Sequence, residues 1–112
     1  MRPGSGAIVW TSSGWPRFGA GLVEAYVFLI SGLVQGVGFR WFAEREASRR
    51  QVRGYVRNLP DGRVEVLAQA DSATLEGYLE KLRQGPRGAR VASIERSPAP
   101  VDTTLDSFQV RY

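Results

Sequence analysis

Ala25-Tyr26-Val27-Phe28-Leu29-Ile30-Ser31-Gly32-Leu33-Val34-Gln35-Gly36-Val37-Gly38-Phe39-Arg40 runs from an apolar segment, through three glycines, to an arginine. Its first six residues are apolar at both parities. That pattern predicts a central strand covered on most of both faces. Glycines tolerate φ > 0, so the segment after the strand can curl and turn successive N–H groups to one side. From Phe39 to about Gln51 the period becomes helical. Phe39, Phe42, Ala43 and Ala47 share one face, and Glu44, Arg45, Arg49 and Arg50 the other. Glu46 and Arg50 form an i,i+4 pair. The first-turn N–H groups of a helix lack intrahelical partners and lie at the positive end of its dipole. With Arg40 beside them they suit an anion such as phosphate or carboxylate. A plain strand-to-helix turn, with glycines serving only the turn, fits the same residues.

Downstream, Val52 to Asn58 reads as a second strand, and Leu59-Pro60-Asp61-Gly62 as a tight turn. Arg63 to Ala70 alternates, with Val64, Val66, Ala68 and Ala70 on one face and Arg63, Glu65 and Gln69 on the other. Asp71 or Ser72 can cap a helix that carries the stripe Leu75, Leu79 and Leu82 and stops at Gly85-Pro86. Ala89 to about Arg96 is a further strand, broken by Ser97-Pro98-Ala99-Pro100. Phe108, Val110 and Tyr112 alternate in a short last strand. The predicted class is α+β: a ferredoxin-like βαββαβ sandwich with an antiparallel sheet, two helices on one face and an additional short C-terminal strand. A right-handed crossover leaves a gap between the first two strands, which the third fills. Arg40 and Asn58 then lie at one edge of the sheet, two strand spacings or roughly 10 Å apart at the backbone.

The chain has 112 residues, 43% of them hydrophobic, which suits one domain with a core. Cysteine and histidine are both absent. No thiolate nucleophile, disulfide or imidazole base is therefore available, and a tightly held transition metal is not expected. The net charge is +4, nearly all of the positive charge being arginine, with Lys81 the only lysine. Such a balance favours anionic ligands, although arginine-rich composition also follows from nucleotide bias. No apolar run reaches the length of a membrane span. Residues 1–21 are rich in glycine, proline, serine and threonine without apolar periodicity. They are expected to form a flexible extension, or to precede a true start near Leu22 or Val23.

Two stretches carry a family resemblance. Ile30 to Arg40 resembles the first acylphosphatase signature, and Gly54-Tyr55-Val56-Arg57-Asn58-Leu59-Pro60-Asp61-Gly62-Arg63-Val64 the second. The likeness runs from about residue 23, so residues 22–112 are expected to form an acylphosphatase-like domain. It implies hydrolysis of a small-molecule acyl phosphate, a carboxyl–phosphate mixed anhydride, to carboxylate and inorganic phosphate. It implies that Arg40 binds the phosphate, together with the backbone of Gln35, Gly36, Val37, Gly38 and Phe39. It further implies that Asn58 positions the attacking water. No cofactor, no metal, no nucleic acid and no membrane enter this expectation, and a cytoplasmic monomer is anticipated. Gln35 reads better as a loop-shaping residue than as a catalyst. Trp41 and Phe42 read as packing residues, with Trp41 the one that can flank an acyl group. Leu33 stands where relatives are often polar or basic, and Ala70 where the second signature often ends in glycine.

Two other readings differ in class. Ferredoxin-like sheets also carry RNA-binding modules, and Arg53-Gly54-Tyr55 begins like the first RNP element. The match then fails at Val56, Arg57 and Pro60. A carbamoyl-phosphate-handling domain of a larger maturation protein would be expected to come with zinc-finger-like cysteines and further domains, which this sequence lacks.

Overall fold

The computed structural model describes residues 22–112; the extension expected over 1–21 lies outside the described residues. The elements are β1 (Glu24–Leu33), α1 (Phe39–Arg49), β2 (Arg53–Asn58), β3 (Val64–Ala70), α2 (Ser72–Gln84), β4 (Arg90–Ala99) and β5 (Phe108–Arg111). They form one five-stranded sheet in the order β4-β1-β3-β2-β5. The βαββαβ plan is therefore present, with the additional strand on the β2 edge.

Both β1 and β2 run antiparallel to β3, so they point the same way. Val64 of β3 faces Ile30 on one side and Asn58 on the other. The ends of β1 and β2 thus stand level, two strand spacings or about 10 Å apart.

One face of the sheet carries Phe28, Ile30, Val56, Val64, Val66 and Ala68, all fully buried under both helices. Helix α1 contributes Phe39, Ala43 and Ala47, and α2 contributes Leu75, Tyr78, Leu79 and Leu82. Each such leucine removed from water contributes roughly 1.5–3 kcal/mol. The Tyr78 hydroxyl donates to the Ala43 carbonyl at 2.9 Å and ties α2 to α1. Burial pushes this phenol well above its ordinary pKa, and the nearby Glu46 carboxylate adds to the rise. At the start of α2, Asp71 accepts from the Thr74 N–H at 3.1 Å, so it is Asp71 that caps the helix.

Three expectations are refined. Val27 and Leu29, on the other face of β1, are half-buried, because the helices pack on the opposite face. Strand β4 continues to Ala99 through Pro98, which an edge strand tolerates since one side of its ladder needs no donor. The last strand pairs parallel with β2, making the sheet mixed. Strand β4 runs against β1, so a chain that turns back after it and crosses to the β2 edge must run with β2. The crossing segment is tied down by Gln69, whose carboxamide accepts from the Asp102 N–H at 2.7 Å and donates to the Asp102 carbonyl at 3.1 Å. Gln69 is fully buried, so these bonds satisfy an amide that would otherwise be costly to bury.

Candidate active site

Phe39 sets the position of the loop. It is the first residue of α1, and its ring is buried in the core against Phe42, at 6.0 Å between centroids. Arg40 and Trp41 follow and point outward from the same turn, half-buried and exposed respectively. Gly36 and Gly38, at φ 76° and 79°, lie in the left-handed region just before the helix. Gly38 is the N-cap residue and provides no capping side chain. The first helical bond runs from the Phe42 N–H to the Gly38 carbonyl. Among the described residues, no acceptor takes the N–H groups of Gln35 to Trp41. The first turn of α1 contains no acidic residue. Seven donors and the positive end of a helix are thus gathered in one short segment.

The Gln35 side chain braces this segment. Its Nε2 donates to the Leu59 carbonyl at 2.8 Å and to the Arg63 carbonyl at 2.9 Å. Those carbonyls also close the β2–β3 turn, through Gly62 N–H to Leu59 and Leu59 N–H to Arg63. The loop after β1 and the turn after β2 are consequently fixed to each other. Asn58, the last residue of β2, stands at the junction.

A pocket of about 230 Å³ opens between these parts. Gly36, Gly38, Phe39, Arg40 and Asn58 all line it, so five of the seven residues singled out by sequence converge there. Val37 packs half-buried against the core instead, and Gln35 acts through its bracing amide. Val34, Trp41, Val110 and Tyr112 complete the lining. Val110 and Tyr112 arrive only because β5 pairs parallel with β2 and ends at the same sheet edge.

Charge in the neighbourhood is distributed unevenly. Arg57 donates to Glu65 at 2.6 Å, and Arg63 to Asp61 at 2.9 Å. The Arg57 guanidinium beside Glu65 has its pKa raised further, first by that hydrogen bond. Arg40 has no carboxylate partner among the described residues; its guanidinium stacks over the Tyr112 ring, 4.5 Å from the centroid. The stack occupies a face of the guanidinium and leaves its planar edge of N–H donors for an oxyanion. The Asn58 amide likewise makes no hydrogen bond with the described residues. No aspartate or glutamate side chain lines the pocket, and no group of three metal-ligating side chains occurs among the described residues. The arrangement can hold a tetrahedral oxyanion on the loop and Arg40, with a neutral amide in the same pocket at the end of β2.

The chain is similar to known acylphosphatases in sequence and in fold. The acylphosphatase family model matches residues 26–110. An acylphosphatase of Chlorobaculum tepidum is 49% identical over 82 residues, spanning 73% of this chain and 89% of the relative. The crystal structure of acylphosphatase from Bacillus subtilis superposes with a TM-score of 0.76 at 34% identity, over 80% of this chain and 99% of that one. The structure of HypF from T.kodakarensis matches at 33% identity and a TM-score of 0.72, over 80% of this chain but only 12% of that protein.

Proposed function

This chain belongs to the acylphosphatase family, hydrolases acting on acid anhydrides with a small-molecule acyl phosphate as substrate, and from that premise we propose that Arg40 and Asn58 carry the reaction in the pocket between β1 and β2. One observation supports this above the others. A guanidinium and an amide that, among the described residues, have no carboxylate partner and no hydrogen-bond partner respectively line the same pocket as the glycine loop.

In this reading the phosphoryl oxygens take the backbone N–H groups of Gln35 to Phe39 and the edge of the Arg40 guanidinium. The Asn58 carboxamide oxygen accepts from a water and aims its lone pair at phosphorus, opposite the acyl oxygen. Water oxygen bonds to phosphorus as the bond from phosphorus to the acyl oxygen breaks; the electron pair of that bond leaves on the carboxylate, and the two water protons end on the orthophosphate released as its monoanion. A carboxylate is a good leaving group, so little general-acid help is needed. Phosphoryl transfer passes through a loose transition state, in which positioning and charge stabilisation supply most of the catalysis. A site without histidine or cysteine is adequate for such a step, and neither metal nor cofactor has a role in it.

Residues 22–112 are the catalytic domain in this proposal, since the family match and every described element lie within them. The protein works as a cytoplasmic monomer, without nucleic acid or membrane. Tyr55 is the one aromatic residue that the strand register places on the helix-free sheet face among the described residues, and the Arg111 guanidinium already lies 4.1 Å from its centroid. That is a poor platform for stacked bases.

The test is hydrolysis of benzoyl phosphate with EDTA present, by the native protein and Arg40→Ala. Turnover that survives the chelator and falls about 10³-fold in kcat/KM in the variant supports the mechanism. An absolute need for a divalent metal, or a variant as active as the parent, overturns it.

A further inference from the structure

The exposed large hydrophobic side chains among the described residues are Leu33, Trp41 and Tyr112. They are not scattered. Trp41, the next residue after Arg40, and Tyr112, on which Arg40 stacks, both line the pocket, and Leu33 immediately precedes the pocket-lining Val34. Trp41 is 60% exposed although it lies between the buried Phe39 and the half-buried Phe42 in the helix. Its ring is instead held by the Arg45 guanidinium, 4.9 Å from the centroid. Solvent-facing rings gathered at one pocket mark a contact surface for a ligand.

Charge narrows the kind of ligand. Arg40 is the one charged side chain in the lining, and no acidic side chain accompanies it. A phosphoryl group placed against Arg40 uses that charge. The remainder of the substrate then meets an indole, a phenol ring and two valines, Val34 and Val110. A second anionic group there has no cation in the lining to pair with, whereas an apolar or aromatic acyl group removes those surfaces from water.

We propose that Trp41 and Tyr112 form the acyl-binding half of the site and select acyl phosphates whose acyl group is aromatic or bulky and apolar. This rests on the assignment of the phosphoryl group to the glycine loop and Arg40. Trp41 is the specificity-determining residue of the pair. Tyr112 has the additional task of stacking on Arg40, so its removal disturbs the phosphate side as well.

The experiment compares benzoyl phosphate, acetyl phosphate and succinyl phosphate on the full chain. The three leaving carboxylates are similar in acidity, so their differences report recognition more than bond cleavage. We expect kcat/KM for benzoyl phosphate to exceed that for acetyl phosphate about tenfold, mainly through KM. Succinyl phosphate should do no better than acetyl phosphate. In Trp41→Ala the benzoyl-to-acetyl ratio should collapse towards one, and Trp41→Phe should restore part of it. Inhibition by inorganic phosphate reports whether the loop is intact in each variant. Equal efficiency on benzoyl and acetyl phosphate, a preference for the succinyl compound, or a ratio unchanged in Trp41→Ala overturns this proposal while leaving the phosphate assignment standing. Hydrolysis of none of the three overturns that assignment, and this proposal with it.

Discussion

Gln35 Nε2 stands 2.8 Å from the Leu59 carbonyl oxygen, so the loop before α1 and the turn after β2 move as one hydrogen-bonded unit. The second bond of the same nitrogen, to Arg63 at 2.9 Å, makes Gln35 a strut under the pocket rather than a reactant. Gln35→Ala should destabilise the protein by about 1–2 kcal/mol, because two part-buried carbonyls each lose a donor. Turnover should fall as well, since the Asn58 strand end is no longer referenced to the loop. Urea denaturation together with benzoyl phosphate kinetics measures both. A variant with lowered stability and unchanged kcat/KM would show that the strut does not set the catalytic geometry.

Asn58 should separate from Arg40 in a binding assay. If its amide orients water and does not hold phosphate, Asn58→Ala loses about 10²-fold or more in kcat. Its inhibition constant for inorganic phosphate should stay within about threefold of the parent. Arg40→Ala should weaken both. Loss of phosphate binding in Asn58→Ala would move that amide to the phosphate side of the site.

Two groups of glycines should respond differently to alanine. A Cβ at Gly38 meets nothing within 4 Å, so Gly38→Ala incurs only left-handed backbone strain of about 1–2 kcal/mol. Its larger effect should fall on activity, because the added methyl stands beside the open N–H groups. A Cβ at Gly54 would drive into the Leu67 carbonyl of the neighbouring strand, at a position where φ is also positive. Gly54→Ala should therefore cost roughly 3 kcal/mol or more and lower yield and stability before it alters kinetics. Thermal melts of the two variants, set beside kcat/KM per folded molecule, distinguish these cases.

Acid should loosen the β2–β3 turn. The Arg63 backbone N–H and guanidinium hold the Asp61 carboxyl below its ordinary value of 3.8, the backbone bond contributing most. A depressed folded-state pKa favours folding above the ordinary value, and the benefit is lost as pH falls through the lower folded-state value. Asp102, lowered first by the Thr104 hydroxyl, behaves in the same sense. The stability difference between the parent and Asp61→Asn should thus be full at pH 5 and shrink below about pH 4. Denaturation midpoints from pH 5 to pH 2 measure it; a difference that grows with acid contradicts the assignment.

The legible part of the fold was what local pattern encodes. Apolar runs, the Asp61-Gly62 turn and the leucine stripe of α2 gave the element order, and the order alone put Arg40 and Asn58 at one sheet edge. What escaped was long-range. Nothing around Gln69 signals that its amide will meet Asp102, thirty-three positions on. Pro98 looks like a breaker until its strand is known to be an edge. Val110 and Tyr112 show only strand alternation, and their place in the pocket depends on a parallel pairing that periodicity does not specify. Gln35 appeared as a loop residue, but its two acceptors lie across the β2–β3 turn and become visible only in three dimensions.

The parallel pairing of β5 with β2 also bears on how the molecule reaches its native state. Gly54 meets Phe108 and Arg57 meets Arg111, contacts that close a loop of about fifty residues enclosing β3, α2 and β4. Such a closure is entropically late, and topologies dominated by distant pairings fold slowly. Arg40 and Asn58 are placed by β1, α1 and the β2–β3 hairpin, whereas the wall made by Val110 and Tyr112 depends on that distant closure.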